Sequence, residues 1–106
     1  MTRAPAFLAI IASAAIFGFG DTKADVRTGR ALAKQWCSEC HSVVPNEPAG
    51  NPAAPDFADI AREPSATGYA LRVFLRTPHE TMPNFVLDAD DIDDIVSYIL
   101  SLKRRR

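Results

Sequence analysis

Trp36-Cys37-Ser38-Glu39-Cys40-His41 decides how the rest of this chain is read, because it holds both of the cysteines. Three chemistries compete for a Cys-x-x-Cys pair. A redox disulfide of the thioredoxin kind follows a strand and opens a helix. Here the residues in front have helical spacing instead, with Val26, Gly29, Leu32, Ala33 and Trp36 at three- and four-residue steps. A structural zinc site takes four ligands, and only His41 and His79 remain to complete one. The histidine directly behind Cys40 favours the third reading, since Cys-x-x-Cys-His is the signature of covalent c-type haem attachment. Two thiols three residues apart can add to the two vinyl groups on one edge of a porphyrin. The next residue is then carried beneath the ring, where its imidazole can meet the iron.

Towards the N-terminus, residues 4–20 (APAFLAIIASAAIFGFG) carry no charge, and a single basic residue, Arg3, stands in front of them. Thr22-Lys23-Ala24 then places small residues three and one before a cut. A basic start, a short apolar centre and a small-residue exit are the layout of a secretory leader. The expected organisation is a cleaved signal peptide over 1–24 and one domain over 25–106, exported to the periplasm. Haem attachment of this type takes place outside the cytoplasm, which agrees with export. The rival is an uncleaved membrane anchor, because the apolar stretch sits at the lower length limit for spanning a bilayer. Contact with the membrane is expected only in that case.

The whole chain has 106 residues, 47% hydrophobic and 24% charged, and its 12 Lys+Arg against 13 Asp+Glu give a formal charge of −1. One small domain is all that this length allows, which excludes a multidomain enzyme with its own substrate pocket. A nucleic-acid binder would show a net basic stripe, and none is present. Loss of 1–24 removes Arg3, Lys23 and Asp21, so the remaining segment is slightly more acidic. A domain of that size buries only about 60% of its unfolded surface and is marginal alone. A disulfide, a metal or a cofactor has to add to its core, and both cysteines are committed to the haem reading.

Beyond the motif, Gly29-Arg30-Ala31-Leu32-Ala33-Lys34-Gln35-Trp36 in front of Cys37–His41, a later Ala54-Pro55-Asp56-Phe57, then Met82-Pro83 and a last helix ending near Tyr98 complete a pattern. Together they make residues 25–106 resemble a small bacterial class I cytochrome c with one covalent haem. The resemblance implies an all-α fold of three to four helices with a long loop wrapped around the haem. It implies covalent attachment through Cys37 and Cys40, and iron between His41 and Met82. It also assigns Pro55 to the proximal side, its carbonyl accepting the Nδ1–H of His41 and fixing the ring. Trp36, Phe57, Ile60, Tyr69 and Phe74 are the further haem-pocket candidates, with core packing away from haem an equal competitor for Phe57 and Ile60.

The chain's own content bears on the sixth ligand. Met82 is the one methionine left after Met1 departs with the leader, and it lies in Thr77-Pro78-His79-Glu80-Thr81-Met82-Pro83-Asn84-Phe85. Two prolines and no apolar periodicity make this a rigid inter-helix loop. Methionine used as core filler belongs on a helix face, so a loop position fits that use badly. A His/Met pair raises the haem potential. His79, three residues before Met82, is the rival and would make a bis-histidine haem; a loop histidine more often stays exposed. Tyr69, Thr77 and Thr81 are candidates for hydrogen bonds to the Met82 sulfur or the propionates, with exposed or capping roles equally open.

Helices are expected over about 25–36, over about 67–76 with Tyr69, Ala70, Val73 and Phe74, and after Asp88 with Ile92, Ile95, Val96, Ile99, Leu100 and Leu102 on the apolar face. Asp88 is suited to the N-cap of the last helix. In the family a glycine at the place of Gly29 lets the last helix cross the first, with Tyr98 leaning on it and its hydroxyl near water. Residues 42–58 hold Pro45, Pro48, Pro52, Pro55 and Gly50, which disfavours strands; a long loop inside a small domain usually wraps something. The acidic run Asp88–Asp94 and the basic tail Lys103–Arg106 are read as a solvated helix start and a terminus in preference to docking patches. With both axial positions filled by protein, the iron has no site for substrate. The expected activity is one-electron carriage between redox proteins by a monomer, not enzymatic turnover. The alternative is a dedicated haem c subunit of one dehydrogenase or oxidase.

Overall fold

In the computed structural model, residues 1–6, 9–13 and 23–104 are described. They form four α-helices and no strand: α1 (Val26–Trp36), α2 (Phe57–Arg62), α3 (Gly68–Arg76) and α4 (Ala89–Ser101), with a 3-10 turn over Leu102–Arg104. The all-α expectation holds. The leader reading concerns a segment of which 7–8 and 14–22 lie outside the described residues, and no described helix is long and apolar enough to cross a membrane.

Helix α1 starts where Asp25 caps it, the carboxylate accepting from Arg27 N at 2.8 Å and from Thr28 Oγ1 at 3.2 Å. Such a cap satisfies donors that the first turn leaves without partners. Thr67 does the same for α3, accepting from Ala70 N at 3.1 Å. Asp88 occupies the cap position of α4 without a side-chain capping bond, so its contribution there is its charge near the positive helix end. Helix α2 was not expected. Six residues carry under two turns of periodicity, and they follow directly on a proline-rich stretch.

Most of the core comes from α4, where Ile92, Ile95, Val96, Tyr98 and Ile99 are buried; each apolar side chain of that size contributes about 1.5–3 kcal/mol on burial. Helices α1, α2 and α3 all pack against it. Ala33, Val43, Phe57, Ala61, Leu71 and Leu102 complete the core. The closest approach is at Gly29, where a Cβ would stand 1.9 Å from the Asp94 carbonyl oxygen and 2.9 Å from Tyr98 Cβ. The crossing expected at Gly29 and Tyr98 is therefore present. The hydroxyl of Tyr98 differs from expectation: it is buried and donates to the Val43 carbonyl at 2.5 Å. The ring meets the loop behind His41 before it reaches the surface, so its polar end is satisfied inside the domain.

Candidate functional site

Cys37–Cys40 form the turn at the C-terminal end of α1. Cys37 N donates to Ala33 O at 2.8 Å, and His41 N donates to Cys37 O at 2.9 Å. The loop that follows is stitched back onto this turn. Asn51 N donates to Cys40 O at 3.0 Å, and Phe57 N donates to Ser42 O at 2.9 Å. The buried Ser42 hydroxyl donates to Glu47 O at 2.6 Å, closing the first part of the loop. Asn46 adopts a left-handed φ of 69°, a conformation that asparagine tolerates better than most residues. At Gly50 a Cβ would lie 1.8 Å from the Glu39 carbonyl oxygen, so only glycine lets the loop lie on the Cys-x-x-Cys turn.

This folding brings Pro55 to His41. The imidazole Nδ1–H donates to the Pro55 carbonyl oxygen at 2.7 Å, which leaves Nε2 as the nitrogen available to a metal. Phe57 flanks the same imidazole, with ring centroids 5.2 Å apart and tilted by 52°. Together they hold the ring from one side and one edge.

His41 faces an apolar cleft of about 300 Å³ that the other candidates share. Trp36, Cys37, Cys40, Pro55, Phe57, Ile60, Phe74 and Met82 all line it. Tyr69 does not: it is 79% exposed and stands away from the cleft. Two residues along an α-helix turn the side chain by about 200°, so Tyr69 faces away when Leu71 is directed to the core. Thr77 lines the cleft, but its hydroxyl is used at the end of α3, donating to Val73 O at 2.7 Å. Thr81 is exposed and outside the lining.

Several lining residues were not singled out from sequence: Leu71, Leu75, Pro83, Asn84, Phe85, Leu87 and Ile99. Leu71 and Leu75 had a signal, the four-residue step along α3. Pro83 to Leu87 had only their nearness to Met82. His79 also lines the cleft, stacked on Phe74 with centroids 3.6 Å apart and its Nε2–H donating to the Phe74 carbonyl at 2.9 Å. One of its ring nitrogens is thus engaged by backbone.

The donor set decides what this cleft suits. Among the described residues no three His, Cys, Asp or Glu side chains converge as a metal site, which removes the zinc reading. Burial pushes the Cys37 thiol up to about 11, so it is a neutral thiol at neutral pH and not the thiolate that disulfide exchange uses. Two thiols, one imidazole with an available nitrogen and one thioether, arranged around an apolar cleft, match haem attached by two thioethers. Phe74 and Phe85 in its wall are 45% and 41% exposed, apolar surface that a planar hydrophobic group would cover.

The acidic run at the start of α4 is partly used within the domain. Asp93 accepts from Arg72 Nε at 2.7 Å, and Asp94 accepts from the Asp25 backbone N–H at 2.7 Å. Asp93 and Asp94 thus tie α4 to α3 and to the start of α1. Of the basic tail, Arg105 and Arg106 lie outside the described residues.

An all-α domain in which a Cys-x-x-Cys-His turn and a loop methionine close on one apolar cleft is a c-type cytochrome domain, an electron-transfer haem protein. Residues 24–99 match the family described as cytochrome c oxidase, cbb3-type, subunit III, and the chain belongs to that family. Neither a curated protein sequence nor a solved structure matches it.

Proposed function

We propose that this chain is a periplasmic one-electron carrier holding a single haem c, linked through Cys37 and Cys40, with His41 and Met82 as the two axial ligands. The observation that carries this reading is the convergence of all four side chains on one cleft, with His41 Nδ1 already committed to Pro55. When bound, the haem supplies a reversible one-electron couple at its iron. The Pro55 carbonyl fixes the imidazole plane and raises its basicity. Phe57, Ile60 and Leu71 line the cleft with apolar surface that would exclude water from the bound group and so favour a higher potential. Cys37 and Cys40, both half-buried, leave their own edge as the closest approach for a redox partner. Ligands from the protein on both faces leave no position for oxygen or a substrate, so electron exchange is the activity and enzymatic turnover is not.

The family description favours a second reading, in which this chain is a haem c subunit with a fixed place in one oxidase and not a free shuttle. Size-exclusion of a native extract separates the two, because a lone haem peak near the monomer mass excludes a tight complex. The ligand assignment is tested on the purified holoprotein. The oxidised spectrum is expected to show the sulfur–iron charge-transfer band, and Met82→Ala is expected to lose it and to bind carbon monoxide when reduced. A wild-type protein without that band, or one that binds carbon monoxide at neutral pH, would overturn the assignment. Haem colour that persists on a denaturing gel, and weakens in Cys40→Ser, tests the covalent link.

A further inference from the structure

The backbone nitrogen of Asp25 donates to Asp94 Oδ1 at 2.7 Å, joining the first residue of the folded domain to α4 across 69 positions of sequence. Three features meet at this nitrogen. Asp25 is the N-cap of α1, so regular structure begins with it. The peptide bond to which it belongs, Ala24–Asp25, is the one that the Thr22-Lys23-Ala24 exit marks for cutting. Its acceptor is a carboxylate that takes part in neither of the ion pairs found among the described residues, Arg62–Asp59 and Arg72–Asp93. A carboxylate facing a neutral amide gains much less than one facing a cation.

We infer that hydrolysis of the Ala24–Asp25 bond turns this nitrogen into an α-ammonium that pairs with Asp94 and fastens the α1–α4 crossing. The inference rests on the reading of residues 1–24 as an export leader. In the step, water adds across the amide: the Ala24 carbonyl carbon takes the oxygen and leaves as a carboxylate, and the Asp25 nitrogen becomes –NH3⁺. Before the cut the nitrogen offers Asp94 one N–H; afterwards it offers three, with a full charge. The surrounding charges suit a cation. They are the Asp25 carboxylate itself, Asp94, and Asp90 and Asp91 one turn earlier on the same face of α4, against Arg27 in the first turn of α1. Their negative charge offsets the repulsion that the α1 N-terminus exerts on a positive group. The position is also specific. A cut one residue earlier leaves an amide at Asp25, and one residue later removes the cap.

The test uses the whole gene and the exported holoprotein. Intact mass gives the first residue, and reductive methylation with a ¹³C label allows the α-amine to be titrated by NMR in wild type and in Asp94→Asn. The expected chain begins at Asp25. Its α-amine pKa lies above the ordinary range of about 7.7–8.0 by about half a unit, about a threefold gain in proton affinity, and returns to that range in Asp94→Asn. Because the folded pKa is raised, the stability difference between the two proteins is present at pH 6 and fades as pH rises through the folded value. A chain that starts elsewhere, or keeps residues 1–24, overturns both the leader reading and the ion pair. A start at Asp25 with an α-amine pKa in the ordinary range in the wild type leaves the leader reading standing and overturns the ion pair, even if Asp94→Asn does not fold.

Discussion

Replacing Gly29 by alanine is expected to destabilise the domain, although helix propensity alone points the other way. Alanine in a helix interior is favoured over glycine by about 1 kcal/mol. At Gly29, however, the new Cβ would lie 1.9 Å from the Asp94 carbonyl oxygen and 2.5 Å from its carbon, both backbone atoms of α4. Ordinary contact begins near 3.4 Å, so the helices have to separate by about 1.5 Å along that line. Radial gaps of 0.5–1 Å already forfeit roughly a quarter to a half of a dispersion well. Applied to the buried α4 side chains Ile95, Val96, Tyr98 and Ile99, at about 2 kcal/mol each, this amounts to about 2–4 kcal/mol. Less the propensity gain, a net loss of about 1–3 kcal/mol remains, in the usual range for overpacking. For a domain of this size that lowers the melting temperature by roughly 8–16 °C at the midpoint of the range. Urea and thermal unfolding of the holoprotein, followed by far-ultraviolet circular dichroism and by the haem absorbance, measure it. Gly68→Ala is the control, since a Cβ there meets mainly the far end of the Arg72 side chain at 2.9 Å and not backbone, and should change stability by under about 1 kcal/mol. A Gly29→Ala protein as stable as the wild type, or more so, would refute the close-approach reasoning.

Tyr98→Phe removes the buried donor to the Val43 carbonyl and is expected to cost about 1–3 kcal/mol in urea unfolding with helix content unchanged; no shift in midpoint would contradict a buried role for the hydroxyl. Gly50→Ala forces the loop off the Glu39 carbonyl, so the contact between Pro55 and His41 should loosen and the reduction potential should move from the wild-type value. An unchanged potential in protein voltammetry would show that the loop yields elsewhere. The backbone N–H of Arg27 holds the Asp25 carboxyl below its ordinary 3.8, so the stability it contributes is present above that value and lost as pH falls through its folded pKa. Asp25→Asn should therefore flatten the acid limb of the stability curve below about pH 4, and an acid limb of unchanged steepness would assign that loss to other carboxylates.

Features that depend on local spacing were legible in the sequence, and those that depend on where a loop returns were not. The helical steps from Val26 to Trp36 and from Ile92 to Leu102 fix which face is apolar, but the side-chain caps fall at Asp25 and Thr67, which were not singled out, while the expected cap residue Asp88 makes no such bond. Gly29 was legible as a packing position because a glycine on the apolar face of a helix costs about 1 kcal/mol against alanine, and in the family a glycine at that place lets the last helix cross the first. Gly50 is no less constrained, yet it sits among prolines where glycine is ordinary punctuation, and its clash with Glu39 depends on a fold-back that no periodicity records. Tyr98 shows the intermediate case. Its ring was placed against Gly29 by the family resemblance, but its hydroxyl partner is a carbonyl 55 residues earlier, set by the course of the loop behind His41. The same loop carries Pro55 to His41 and Asn51 to Cys40. Residues with no chemistry of their own, Gly50 above all, thus hold the imidazole that the motif announces. The motif names the group that can reach iron, and the loop determines the orientation in which it arrives.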